Sequence, residues 1–443
     1  MRANHLSGPG PAPRRRRLRL VLALLASLVV WASVPSPGSA ASYGTGTFTI
    51  LSTGGGGCPD GYNCTTFRVT CSQTKQAAEG RLATRAASGT PRGLVMFFTV
   101  TGGTSWTTVK ASADSALDDL RSAGFEIVQV KWDEAWLDAA PGETAAGPAK
   151  LACRSATVIK WVHGHLYNGS SQPTGNCGFC VTGESGGASQ ISYSLSHYGL
   201  SGIIDAAIPV SGPPHAALVK GCTDEFREYT WPSHTAKTMD NSYGYFGGGG
   251  PCEQHDASYV GKWTADGVDT GGSDYSYPST RVTFLLGTAD GTAAPRHGLD
   301  YADKLENSGT PNVKVNIIDG MPHSAWDAPV GVAAVKAAIM GQSNIPGTVP
   351  SLPQGSTGSG GGRRPGRGGS STSTPTPTPI PSVTSSPTTS ASPTDSGLAL
   401  PPSDQPEVFP WLIAVAGGAA AAGLTYWLLR RRTRQPPDPG EPA

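Results

Sequence analysis

Gly183-Glu184-Ser185-Gly186-Gly187 sets a serine among small residues in the pattern G-x-S-x-G. A serine hydroxyl is too weakly acidic to attack a carbonyl alone. It needs an imidazole to take its proton and a carboxylate to orient that imidazole. The chain offers both downstream, in the order serine, acid, histidine. Asp290 closes the run Gly287-Thr288-Ala289-Asp290, and His323 follows Asp319-Gly320-Met321-Pro322. Asp319 and Asp327 stand too close to His323 in sequence to be its usual partner. His215, His234, His255 and His297 lack a strand-end position after the acid. Glu184 reads as a local hydrogen-bonding residue rather than a catalyst.

The pentapeptide alone is common, so its flanks decide its meaning. Phe179–Thr182 is apolar enough to be a buried strand, and a helix is expected from Ser185 onward. A sharp strand-to-helix turn lifts the serine above the sheet and aims the helix N-terminus at a developing oxyanion. Val282–Leu286 reads as a strand ending just before Asp290, and Val313–Ile318 as one ending just before His323. Phe67–Cys71, Gly80–Arg85, Leu94–Val100, Phe125–Val130 and Ile203–Val210 are further strands. Helices are expected over Ser112–Ser122, Ala149–Leu166 and Val330–Met340. The continuous apolar run at Leu94–Val100 suits a strand covered on both faces. Such alternation predicts an α/β fold with a mostly parallel sheet and helices on both sides, its strand-end loops gathered at one rim. Between Pro213 and Pro278 the alternation stops, which marks an insertion after the sixth of these strands, at about 213–278. Its aromatics, Trp231, Tyr243 and Trp263 among them, are expected to build a small core beneath it or to form a stacking surface.

On these residues the chain resembles the α/β hydrolases over about residues 65 to 341, and its Gly-Glu-Ser-Gly-Gly elbow is similar to that of carboxylesterases. The resemblance implies Ser185 as nucleophile, His323 as general base and acid, and Asp290 as the orienting acid. It also implies an oxyanion contribution from the loop after the third strand, Thr101-Gly102-Gly103-Thr104-Ser105-Trp106. Gly103, or Gly102, is the expected donor there, beside Gly186. No His-Gly pair precedes it, a departure from the common lipase form. The implied reaction is hydrolysis of a small-molecule or polymer-linked carboxylic ester through an acyl-enzyme, with no cofactor and no metal. Two rivals share the fold: an acyltransferase working on envelope glycans or lipids, and a catalytically silent surface-binding protein.

Charge and composition restrict the setting. The 443-residue chain carries a net charge of +1, yet residues 41–346 hold 20 Lys and Arg against 27 Asp and Glu, about −7. An acidic domain repels phosphate backbones, which argues against nucleic acid as partner. Arg14–Arg17, the apolar stretch Leu18–Trp31 and Gly38-Ser39-Ala40 together predict a signal peptide over 1–40. All eight cysteines lie between Cys58 and Cys252, and export makes disulfides the expectation for them. Cys222 and Cys252 flank one stretch of the insertion and are expected to pair; Cys177-x-x-Cys180 is read as structural. Residues 347–407, rich in Ser, Thr, Pro and Gly, predict a disordered linker after a catalytic domain at 41–346. The apolar run within 408–429 is long enough to span a bilayer, and the arginines of the 430–443 tail predict a cytoplasmic C-terminus. His163 and His165 lie two apart on a helix, on different faces, and are not read as metal ligands.

Overall fold

In the central strand of the sheet, Leu94, Met96 and Phe98 bury in one hydrophobic core while Val95 and Phe97 bury in the other. The period of two along a strand sends alternate side chains to opposite faces. A strand apolar at every position therefore demands cover on both sides. The computed structural model describes residues 43–167, 169, 177–223 and 225–352. These belong to a single unit by contact.

Among the described residues ten strands form one sheet: β1 (Thr47–Thr53), β2 (Asn63–Thr70), β3 (Ala78–Arg85), β4 (Gly93–Phe98), β5 (Phe125–Trp132), β6 (Phe179–Glu184), β7 (Ala206–Val210), β8 (Arg281–Gly287), β9 (Val313–Ile318) and β10 (Thr348–Val349). Their spatial order is β1-β2-β3-β5-β4-β6-β7-β8-β9-β10. β1, β2, β3 and β5 pair antiparallel in turn. From β5 through β4, β6, β7 and β8 to β9 every pairing is parallel, and β10 returns antiparallel to β9. The chain leaves β4 for β5 on one side and reaches β6 on the other. β4 is thus the point where winding reverses, and crevices in open α/β sheets form at the strand carboxyl ends beside such a point.

Among the described residues nine helices accompany the sheet: α1 (Ala111–Ser122), α2 (Pro148–Leu151), α3 (Cys153–His165), α4 (Gly186–Ser196), α5 (Leu218–Cys222), α6 (Ser233–Ser242), α7 (Val260–Asp266), α8 (Ala294–Asn307) and α9 (Pro329–Ile339). On one face, α3, α4 and α8 bring Val158, Ile159, Ile191, Leu195, Tyr301 and Leu305 into the core with Phe98. On the other, α1 and α9 bring Ala116, Leu117, Leu120, Ala334 and Val335 against Phe97, Phe125 and Ile127. Each large apolar side chain so buried contributes roughly 1.5–3 kcal/mol, and this double cover holds β4 and β6 at the centre.

The structure departs from the sequence expectation at several elements. The expected helix Ala149–Leu166 is two, α2 and α3, divided at Ala152. The strand expected over Ile203–Val210 begins only at Ala206, after a short 3-10 turn at Leu200–Gly202. β1 precedes the first expected strand, so the insertion follows the seventh strand rather than the sixth. β1 is an edge strand with Thr and Ser at most positions and little burial, so it carries no alternating apolar signal. The fold also runs past residue 346, because Thr348 and Val349 pair with Ile318 and Ile317. The first residues assigned to the linker therefore belong to the sheet.

The insertion is ordered. It contributes α5, α6 and α7, and Cys222 bonds to Cys252 within it. Trp231, Tyr243, Trp263 and Tyr277 are buried in the core shared with the sheet, the first of the two expectations for its aromatics. Cys58 bonds to Cys64, Cys71 to Cys153 and Cys177 to Cys180. The Cys71–Cys153 bond ties the β2 end to α3 across 82 residues. Among the described residues no helix is long and apolar enough to cross a membrane. The expected signal peptide (1–40), transmembrane run (408–429), basic tail and most of the linker lie outside the described residues.

Candidate active site

β6 runs through Glu184, and α4 begins at Gly186. Ser185 alone makes the turn between them, with φ 55° and ψ −116°. For a residue with a side chain this left-handed backbone is costly, on the order of 1–3 kcal/mol, and surrounding structure must hold it. Two backbone hydrogen bonds do so: Ser185 N–H donates to Val210 O (2.9 Å), and Ser189 N–H donates to Ser185 O (3.2 Å). Gly186 is required by close packing. A Cβ there would stand 2.5 Å from Thr101 Cα and O and 2.7 Å from Thr101 N. The elbow and the loop after β4 thus touch backbone to backbone.

The loops after β8 and β9 bring the other two predicted residues to the serine. His323 Nε2 lies 3.0 Å from Ser185 Oγ, and His323 Nδ1 lies 2.9 Å from Asp290 Oδ2. The Asp290 side chain is fully buried. Its second oxygen, Oδ1, accepts the Thr292 N–H (2.9 Å) and the Thr292 hydroxyl (2.7 Å). Burial pulls the His323 imidazole toward neutrality, but the hydrogen bond and charge of Asp290, with the charge of Glu184, outweigh it and raise its pKa. The nucleophile, imidazole and carboxylate are therefore joined as a continuous hydrogen-bonded relay at the carboxyl ends of three parallel strands.

Glu184 stands behind this relay. Burial pushes its carboxyl up to about 7, and its Oε1 accepts the Ala325 N–H at 2.7 Å. The residue preceding the nucleophile thereby fixes the loop that carries His323. This agrees with the hydrogen-bonding part expected from the sequence. Asp319 instead accepts the Thr288 hydroxyl (3.1 Å), and Asp327 pairs with Lys110 (2.7 Å). Neither approaches the His323 ring by hydrogen bond.

Of the expected oxyanion glycines, Gly186 lines the cavity over Ser185, and Gly103 and Gly102 do not. Gly103 has φ 70° and its N–H donates to Val100 O at 2.7 Å, closing a turn. That donor is consumed within its own loop. Gly102 packs against Ala135 and does not line the cavity over Ser185. Val100 and Thr101 do, together with Gly186. The Thr101 N–H has no backbone acceptor among the described residues, and Thr101 is pressed against Gly186 as described above. Glycines attracted attention in the sequence because they allow close approach. Here the turn closed by Gly103 leaves the neighbouring Thr101 lining the cavity, with its N–H free of a backbone acceptor among the described residues.

A cavity of about 190 Å³ opens over Ser185 and His323. The insertion supplies much of its wall through Pro214, His215, Trp231, Pro232, His234 and Thr235. No Lys, Arg, Asp or Glu lines it. Among the described residues no group of three or more His, Cys, Asp or Glu is placed to hold a metal ion.

No protein-family profile matches the chain, and no curated protein matches it. Solved structures of similar outline include a lipase in its open form (16% identity, 62% of this chain and 96% of that one, TM-score 0.36). A bacterial heroin esterase shares 16% identity over 63% of this chain and 83% of its own, with a TM-score of 0.40. An esterase of Pyrobaculum calidifontis shares 13% over 62% and 84%, with a TM-score of 0.38. Similarity at this level leaves the function to be read from the site itself.

Proposed function

We propose that this chain is a serine hydrolase acting on carboxylic esters through an acyl-enzyme. The observation that carries the reading is the Ser185–His323–Asp290 relay on a left-handed serine at the head of a helix. Ser185 Oγ attacks the ester carbonyl while His323 Nε2 takes its proton. The carbonyl oxygen, now an anion, is held by the N–H groups of Gly186 and Thr101, which cost no reorganisation because the backbone already fixes them. Collapse breaks the ester C–O bond, and His323 returns the proton to the leaving alcohol. Water, deprotonated by His323, then attacks the acyl-enzyme and releases the acid. Asp290 holds the imidazole with its proton on Nδ1 and stabilises the imidazolium in both halves of the cycle. The full chain is expected to hydrolyse p-nitrophenyl acetate, and Ser185→Ala to lower kcat on the order of 10⁴-fold without altering circular dichroism. Equal turnover by the folded variant would remove Ser185 from the mechanism.

The same reading places the enzyme outside the cell on a membrane anchor. Its support is the signal-like N-terminus, the confinement of all eight cysteines to the folded region and the apolar run followed by arginines. Protease added to intact cells should remove the catalytic domain, and a chain ended after Leu352 should appear in the medium as active enzyme. Protection from protease, or retention of the shortened chain inside cells, would contradict the topology.

A further inference from the structure

His215 is a histidine that the relay does not use, and it lines the same cavity as Ser185. It is 1% exposed, and its Nδ1 is buried without a hydrogen-bond partner among the described residues. Burial and the nearby His297 push its pKa down to about 3, so the ring is neutral in ordinary buffers. A neutral imidazole always carries one N–H donor and one acceptor, and leaving either unsatisfied in a buried site is costly.

The neighbouring histidine shows what a satisfied ring looks like in this insertion. His297 Nδ1 accepts the Ala217 N–H (3.2 Å), so its Nε2–H donates to Tyr229 O (3.2 Å). His297 stacks on Trp231 at 5.2 Å, and His215 meets the same indole edge-on at 5.9 Å. The indole is thereby clamped between a ring with both nitrogens bonded and a ring whose Nδ1 has no hydrogen-bond partner among the described residues. The Trp231 N–H is also buried and has no hydrogen-bond partner among the described residues. Two aromatic groups with spare polar capacity thus stand side by side in the wall over the nucleophile.

We infer that His215, backed by Trp231, is a specificity-determining residue that hydrogen-bonds an oxygen on an uncharged, ring-sized substrate group lodged between the insertion and Ser185. This rests on the hydrolase reading above and names its substrate class: esters of compact hydroxylated aromatic acids. The absence of charged residues from the wall disfavours ionic groups. A cavity near 190 Å³ is of the order that accepts one benzene-sized ring (about 150 Å³ suffices for benzene). Flat apolar walls with a few fixed polar groups are how small-molecule sites orient a ring.

The test compares the full chain with His215→Phe and His215→Asn on methyl 4-hydroxycinnamate, methyl cinnamate and methyl octanoate, with fluorophosphonate labelling run in parallel. Wild type should prefer the hydroxylated ester over cinnamate in kcat/KM by about tenfold or more, since a site built to bond an oxygen discriminates against the analogue lacking it. Octanoate should be poorer still. In His215→Phe the hydroxyl preference should fall to near one, and His215→Asn, which keeps a donor and an acceptor, should retain part of it. Equal wild-type rates on the two cinnamates, or a hydroxyl preference that survives in folded His215→Phe, would overturn the inference. The wild-type comparison stands even if His215→Phe fails to fold. Labelling separates the two levels of the proposal. Labelled enzyme without hydroxyl preference defeats only the part given to His215, whereas unlabelled folded enzyme that hydrolyses none of the esters defeats the hydrolase reading itself.

Discussion

Asp290→Asn isolates the electrostatic half of the relay with almost no change of shape. Thr292 donates both its N–H and its hydroxyl to Asp290 Oδ1. An asparagine must therefore put its carbonyl oxygen toward Thr292, where only an acceptor fits. Its NH₂ then faces His323 Nδ1, at the position where Oδ2 now stands 2.9 Å away. A donor at that place demands a lone pair on Nδ1, so the imidazole proton moves to Nε2. Nε2 then donates toward Ser185 Oγ across the 3.0 Å gap and has no lone pair with which to take the serine proton. The variant holds the right atoms in the wrong tautomer. The expected loss is about 10³- to 10⁴-fold in kcat, roughly 4–5.5 kcal/mol of transition-state stabilisation at 1.36 kcal/mol per tenfold. Turnover of p-nitrophenyl acetate at pH 7.5 measures it, and a melting curve checks that the fold survives. A folded Asp290→Asn enzyme within tenfold of wild type would refute the tautomer reasoning and Asp290's part in it.

Two further outcomes concern stability. Asp266, the last residue of α7 in the insertion, is buried, accepts the Tyr243 hydroxyl at 2.8 Å, and is pushed up to about 7 by burial. With the folded pKa above the unfolded value, its stabilising contribution is full below about pH 4 and is lost as pH rises through about 7. Asp266→Asn, which stays neutral, should therefore lose less stability than wild type between pH 5 and pH 8, by about 2.5 kcal/mol. Equal pH slopes in urea unfolding would contradict the assigned ionisation. Replacing Cys71 and Cys153 together by alanine frees a loop of 82 residues and should lower unfolding free energy by about 4 kcal/mol on chain-entropy grounds. An unchanged melting temperature would show that this bond contributes nothing to the fold.

The sequence was most readable where burial is most complete. β4 and β6 are buried on both faces, and β9, buried over its last three residues, spans the Val313–Ile318 expected from the sequence. Ser185, Asp290 and His323 could be read from the sequence because each stands past the carboxyl end of a buried strand, β6, β8 and β9 respectively. β1 was missed for the opposite reason: its residues are mostly exposed, so no pattern of burial is written into them. α6 is also faint, since Ser233–Ser242 buries only Ala236, Met239, Asp240 and Ser242. Its order comes from tertiary support, including Asp240 accepting the Cys252 N–H at 2.7 Å. The oxyanion loop failed at a finer grain. Composition pointed to glycines, whereas the direction of an amide is set by a turn, here Gly103 N–H to Val100 O. His215 lacks a strand-end position, so the sequence does not mark it as a base. Its place in the cavity wall depends on how the insertion folds back, which no local pattern encodes.

The central claim is that Ser185 is an activated nucleophile. A fluorophosphonate probe applied to the full chain, followed by peptide mass mapping, tests it most directly. One covalent adduct is expected, on the peptide holding Gly183–Gly187, absent from Ser185→Ala and formed far more slowly in His323→Ala. Folded wild-type protein that takes up no probe, or an adduct carried on another residue, would contradict it.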